Sequence, residues 1–222
     1  MSTKETKYVL IPISSIGCGK TTISLALSKI LNNVEFVSND DMKSSSKFFN
    51  RSKQVLTRNK AVIMDKNNHK FKLRENIFLT FENTESVVDL KYICLNFIGI
   101  DSYHKSKKFW DLTTQRVFKR GDNHQSIKAE SSNKSQIYKI MKMFVNQIEP
   151  VDISKNPDIK FDLVIDLQVT DQDDSSLDNI RLIIHKIHEK YPQLIPKLPS
   201  EGLLVQSYQE ALQFKPTIKR KT

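Results

Sequence analysis

Apolar residues arrive along this chain in short runs separated by longer amphipathic stretches, which is the signature of alternating strands and helices. Residues 8–13 form an apolar run, and after Lys20 the side chains of Ile23, Leu27, Ile30 and Leu31 fall on one helical face. A second run at 34–37 leads into the polar turn Ser38, Asn39, Asp40, Asp41, and a third at 61–64 ends at Asp65. A fourth run covers 92–100 and a fifth 161–167, after which Leu177, Ile180, Ile184 and Ile187 mark a further amphipathic helix. Parallel neighbours require crossover connections, so the alternation predicts an α/β fold: a central, mostly parallel sheet flanked by helices.

Two stretches depart from that rhythm. Residues 105–134 are polar, basic and poor in apolar side chains for their length, and are expected to form a helical basic lid. Beyond Pro192, the prolines 196, 199 and 216 and the basic end Lys219, Arg220, Lys221 read as an extension or linker. The expected division is therefore a body over 1–192, with the lid inside it, and a C-terminal extension over 193–222. There is no internal repeat, and the unmarked start and linker-like end also suit a domain cut from a longer chain.

A chain of 222 residues builds one substantial core, and 38% apolar with 27% charged residues is ordinary globular composition. No apolar stretch approaches the roughly 18 residues that cross a bilayer, and the polar N-terminus does not resemble a secretory signal. The expected setting is intracellular, nucleus or cytoplasm. Cys18 and Cys94 lie far apart without zinc-site spacing, in keeping with a reducing compartment. A net charge of +10, from 35 basic and 25 acidic side chains, favours polyanionic partners, nucleic acid first among them. A generally lysine-rich proteome is the alternative explanation of that charge.

The run Ser14, Ser15, Ile16, Gly17, Cys18, Gly19, Lys20, Thr21 follows G-x-x-x-x-G-K-[ST] except at its first position, where Ser14 replaces glycine. Small residues let backbone N–H groups curl around phosphate oxygens, and the helix that follows adds its positive end. Gly17, Cys18, Gly19, Lys20, Thr21 and Thr22 are thus the candidate nucleotide contacts. Lys20 bridges the outer phosphates, and the Thr21 hydroxyl faces magnesium. The alternative, a helix start that is merely glycine-rich, is disfavoured by the strand before and the helix after. Asp65, at the end of an apolar strand, stands where a magnesium carboxylate belongs, although strands also end in aspartate for capping. Lys66, Asn67, Asn68 and His69 either cap the next helix or touch a substrate backbone.

Phosphoryl transfer to a hydroxyl needs a carboxylate within hydrogen-bond reach of the nucleophile. Asp40, with Asp41 beside it, lies at the carboxyl edge where open parallel sheets place ligands; the alternative role is capping the next helix. Arg116 and Arg120, four residues apart, project from one helical face and suit a γ-phosphate in flight, or else a solvated basic face. His104, His185 and His188 have no metal-site spacing and are expected at the surface or in helices. Trp110 either stacks a base near the lid or packs the lid onto the body.

In order and spacing, residues 16–22, 38–41, 65–69 and 116–127, the last containing Arg120, Gly121, Asp122, Asn123, His124, Gln125 and Ser126, resemble the polynucleotide 5′-kinase domain of fungal tRNA ligase. More loosely, they resemble the kinase module of phage polynucleotide kinase. The resemblance implies a P-loop phosphotransferase with Asp40 as general base for an RNA 5′-hydroxyl, and Arg116 and Arg120 as lid arginines. It also implies GTP as preferred donor, ATP being possible, and the ends of tRNA exon halves as acceptors. The phage enzyme has arginine where this chain has Lys43, which removes a bidentate phosphate contact. Asp152 or Asp158, before the fifth strand, is a candidate carboxylate for guanine N1 and N2, although the register of Lys155 to Asp158 does not fit N-K-x-D. A ligase domain before this region and a cyclic phosphodiesterase after it are expected in a full-length enzyme. Two other functional classes fit the residues: a small-molecule kinase, and a nucleotide-dependent RNA-binding module without catalysis.

Overall fold

The computed structural model describes residues 4–99, 103–124, 127–170 and 175–215. Its sheet has five strands, β1 (Thr6–Ile13), β2 (Val34–Ser38), β3 (Ala61–Asp65), β4 (Asp89–Asn96) and β5 (Leu163–Asp166). They run parallel in the order β2-β3-β1-β4-β5. The connecting helices are α1 (Lys20–Ile30), α2 (Ser45–Arg58), α3 (Phe71–Phe81), α4 (Lys107–Lys119) and α5 (Lys134–Asn146), followed by α6 (Ser175–Lys190) and α7 (Glu201–Leu212). The fourth strand is shorter than the apolar run suggested, because Phe97 and Ile98 are buried in the loop beyond it; Ile100 lies outside the described residues.

Alternation along each central strand feeds two cores, as expected for a sheet covered on both faces. Tyr8 and Leu10 of β1, Ile63 of β3, and Ile93 and Leu95 of β4 pack with Ile23, Leu27, Ile180 and Ile184 of α1 and α6. Val9, Ile11, Val62, Met64 and Cys94 face Phe48, Val55, Ile77 and Phe78 of α2 and α3. A smaller cluster joins Ile16 to Val117, Ile127, Ala129, Ile137 and Met141, with Trp110 packed against it.

Three expectations change. The lid segment is not poor in core: Phe109 and Leu112 of α4 belong to the main hydrophobic core. Trp110 lies 6.2 Å from the ring of Tyr138, so it packs within the lid cluster. The segment read as an extension forms α7, whose Leu204, Tyr208 and Ala211 are buried against the α1 and α6 core, and Glu210 pairs with Lys29. The basic end, with Pro216, lies outside the described residues. His104 is buried, and His188 Nδ1 sits 2.7 Å from the Ile195 carbonyl, tying α6 to the segment leading into α7. Among the described residues, no helix is long and apolar enough to cross a membrane.

One buried ion pair braces the α3 side. Arg74 Nε and Nη2 donate to the two oxygens of Asp158 at 2.6 and 2.9 Å, with both side chains fully buried. Arg74 Nη1 also donates to the carbonyls of Asn68 and Glu149, and Asp158 accepts from Asp152 N–H. Removing one partner strands a buried charge, whereas removing both does not. Arg74→Met is therefore expected to lower the unfolding free energy in urea by ~3–5 kcal/mol, and Arg74→Met with Asp158→Leu is expected to recover much of that loss.

Candidate active site

The phosphate loop, residues 14–19, leaves β1 and turns into α1. Gly17 and Gly19 adopt φ of 84° and 87°, a region that favours glycine. A Cβ on Gly17 would lie 2.5 Å from the Thr113 carbonyl oxygen, and one on Gly19 would lie 2.9 Å from Ser176 Oγ. Ser14, the departure from the motif, is not a strained position: its backbone has no positive φ. It is buried, its N–H donates to the Asn67 carbonyl at 2.8 Å, and its hydroxyl donates to Asn67 Oδ1 at 3.1 Å.

The segment after β3 therefore supports the loop. Asn68 takes a positive φ of 48°, which asparagine tolerates, and its side chain donates to the Pro12 carbonyl at 2.9 Å. His69 is buried with its ring 4.7 Å from that of Phe144. Neither Asn67 nor Asn68 caps the next helix, whose N-cap is Lys70.

Nothing acidic occupies the first turn of α1, and its N-cap, Gly19, has no side chain to cap it, so the helix start presents its N–H groups to an anion. Cys18 is buried in the loop. Burial pushes its thiol up to about 12, so the side chain is inert packing. Lys20 Nζ lies 2.5 Å from Asp65 Oδ1, and Thr21 Oγ1 donates to Asp65 Oδ2 at 3.0 Å. One buried carboxylate thus spans both functional side chains of the loop. Among the described residues there is no cluster of three or more acidic, histidine or cysteine ligands. A hydroxyl and one carboxylate suit magnesium, which keeps much of its shell from water and phosphate oxygens.

Ser38, the last residue of β2, is in parallel register with Asp65. Asp40 therefore lies just past the level of Asp65, on the short 3-10 turn Asn39–Asp41. Its capping role is excluded, because α2 is capped by Ser44, whose Oγ accepts from Lys47 N–H. The carboxylate is 38% exposed, and His124 Nε2 stands 3.3 Å from its Oδ2.

Thr113, Arg116 and Arg120 share one face of α4, and Thr113 touches Gly17, so the arginines are carried over the phosphate loop. They end differently. Arg116 Nη2 donates to the Thr170 carbonyl at 2.7 Å and to Ser175 Oγ at 2.8 Å. Arg120 has its Nε and Nη2 buried without a hydrogen-bond partner among the described residues. Burial pulls its guanidinium down to about 10, against the pull of the nearby Asp40 carboxylate. Buried donors left without a hydrogen bond favour an anion beside them.

A family model for the tRNA ligase kinase domain matches residues 9–170, and one for the fungal tRNA ligase phosphodiesterase domain matches residues 175–222. The chain belongs to the tRNA ligase kinase domain family. This kinase domain is 36% identical to the tRNA ligase of Candida albicans over 224 residues, covering 96% of this chain and 27% of that protein. It is 31% identical to tRNA ligase 1 of Schizosaccharomyces pombe, covering 87% of this chain and 24% of that one. The chain thus spans about a quarter of the length of these curated relatives. A crystal structure of a fungal RNA kinase superposes with a TM-score of 0.87 at 36% identity, covering 97% of this chain and all of that one.

The residues that match the phosphodiesterase model begin with α6 and α7, which pack into the same core as the kinase-matching residues. Of the two carboxylates considered for guanine, Asp158 is corrected by the fold: it is fully buried with both oxygens bound by Arg74. Asp152 sits in a surface loop, accepts from Lys155 Nζ at 2.6 Å and from Ser154, and is held down to about 2 chiefly by Lys155. Lys20, Thr21, Asp65, Asp40 and Arg120 converge; Arg116 flanks them, anchored to Thr170 and Ser175. Sequence reasoning singled out Asn67 and Asn68 but not their bonds to the loop, and it missed Thr113. The shared helical face of Thr113, Arg116 and Arg120 was the available signal for the last.

Burial, reinforced by Lys70 and Arg74, pulls His69 down to about 4 from an ordinary 6.5. The folded state then resists a proton that the unfolded state accepts, so this group's contribution to stability is intact above pH 6.5 and is lost as pH falls toward 4. His69→Phe, which keeps the contact with Phe144, is expected to remove ~2–3 kcal/mol of the acid sensitivity between pH 6.5 and 4, read by urea unfolding at each pH.

Proposed function

We propose that this kinase domain is a polynucleotide 5′-hydroxyl kinase, passing the γ-phosphate of GTP, or less readily ATP, to the 5′-hydroxyl end of cleaved RNA such as a tRNA exon half. The observation that carries the reading is an exposed carboxylate, Asp40, freed from capping and set beside the unpartnered Arg120 at the mouth of a phosphate loop. An exposed base at an open sheet edge suits the end of a polymer, and the net charge of +10 favours a polyanionic acceptor.

In this mechanism the loop N–H groups and Lys20 hold the donor phosphates, Lys20 exchanging its bond with Asp65 for phosphate oxygens. Thr21 and Asp65 would hold magnesium, which would supply charge neutralisation to the donor phosphates. Asp40 takes the proton as the acceptor's 5′-oxygen bonds to the γ-phosphorus, and the bond to the β–γ bridging oxygen breaks to release the diphosphate. Arg120, with Arg116 beside it, stabilises charge on the phosphoryl oxygens in flight. Thr22 and the backbone of Gly17, Cys18 and Gly19 complete the nucleotide contacts. Asp152 is the remaining carboxylate for a guanine base. In the full-length enzyme, ligase and cyclic phosphodiesterase domains accompany this one inside the cell, in nucleus or cytoplasm.

The deciding assay follows labelled γ-phosphate from GTP and, separately, ATP to an RNA oligonucleotide with a 5′-hydroxyl, with nucleosides as competing acceptors. Expected are transfer to RNA with GTP favoured, and an Asp40→Ala variant that binds nucleotide normally but transfers ~10²–10⁴-fold more slowly. Transfer to nucleosides alone would make the chain a small-molecule kinase. Nucleotide binding without transfer to either acceptor would make it a non-catalytic module.

A further inference from the structure

We infer that His124 is a positioning residue for the proposed base, donating its Nε2–H to Asp40 and so aiming the free carboxylate oxygen at the acceptor hydroxyl. The inference rests on the reading of Asp40 as that base.

The tautomer follows from the neighbouring backbone. Ile127 N–H donates to His124 Nδ1 at 3.1 Å, so Nδ1 is the acceptor nitrogen and, in the neutral ring, the proton sits on Nε2. That nitrogen stands 3.3 Å from Asp40 Oδ2. Burial, then the charges of Arg120 and Lys20, hold the imidazole far below its ordinary value, at about 3, so the ring is a neutral single donor at working pH.

The ring is carried on a braced turn. Gly121 takes a φ of 59°, and a Cβ there would lie 2.3 Å from the Glu130 carboxylate. Asp122 Oδ1 accepts from the N–H groups of Glu130 and Ser131 at 2.8 and 3.1 Å, and His124 N–H donates to the Asp122 carbonyl at 2.7 Å. The turn begins one residue after Arg120, so the residue facing the phosphoryl group and the residue orienting the base leave α4 together. Asp40 needs such support because its short 3-10 turn has no buried residue to anchor it. A carboxylate free to rotate would lose the alignment on which proton transfer depends.

The test compares His124→Ala and His124→Gln, the glutamine amide being able to place a donor near the Nε2 position. Melting temperature, nucleotide Kd, and kcat and KM for a 5′-hydroxyl RNA are read for each, beside Asp40→Ala. His124→Ala is expected to lower kcat about 10–100-fold, the worth of a hydrogen bond to a charged group, with nucleotide Kd changed less than about threefold. His124→Gln is expected to restore kcat to within a few-fold of wild type. A His124→Ala variant with wild-type kcat, while Asp40→Ala is inactive, would overturn the inference and leave the kinase reading standing. Equal losses in both histidine variants, or a loss tracking weakened nucleotide binding or melting, would overturn it as well. Full activity of Asp40→Ala would instead remove the base on which it rests.

Discussion

The approach of Gly17 to the Thr113 carbonyl is the constraint from which the rest of the site follows. No side chain fits at Gly17, because the space a Cβ needs is filled by helix backbone. Backbone against backbone leaves little room for adjustment, so the phosphate loop and α4 hold one relative position. With Thr113 fixed over the loop, the helical repeat places Arg116 and Arg120 successively along the same face. The position of those arginines is thus a consequence of a glycine nearly a hundred residues earlier in the chain.

Charge organises the floor of the site. Asp65 meets both Lys20 and Thr21, so the loop is held in shape by a bridge whose members are the same groups that a metal-bound nucleotide would engage. In such an exchange Lys20 would trade a carboxylate oxygen for phosphate oxygens and so keep an anionic partner. Above that floor Arg120 keeps buried donors unpartnered. An unpaired guanidinium is an unfavourable state for folding and a favourable one for binding an anion, and proteins keep such strain where function uses it. The neighbouring His124 stays neutral for the same first reason that Arg120 is pulled down, since both are withdrawn from water; the cations Arg120 and Lys20 add to the effect on His124, whereas Asp40 opposes it on Arg120.

The domain's limits in space differ from its limits in sequence similarity. The kinase family model ends at residue 170 and the phosphodiesterase model begins at 175, yet α6 and α7 complete the core around α1. Removing them would uncover Ile23, Leu27 and the inner face of β1. The fold therefore treats residues 175–215 as part of its kinase body. That packing also explains why the segment after Pro192 is not a linker: α7 at its end is buried against the α1 core and pairs Glu210 with Lys29.

The sequence by itself determined the elements and their chemistry. Alternating apolar runs give a parallel α/β sheet, and the loop motif with Lys20 and Thr21, the strand-end Asp65 and the paired arginines are all local patterns, legible because periodicity and spacing are local properties. It also placed Asp40 at the carboxyl edge of the sheet, where the structure has it just past β2. Only the tertiary structure decided which of these side chains meet and which are spent elsewhere. The strand order brings Ser38 into register with Asp65 and Asp40 beyond it; Ser44 takes the cap that Asp40 was free to take; Arg74 consumes Asp158, and Thr170 and Ser175 hold Arg116. The lid and tail were misjudged for a related reason. Their apolar residues are sparse along the chain, and whether a sparse set is buried depends on a partner surface that comes from distant segments, which no local pattern records.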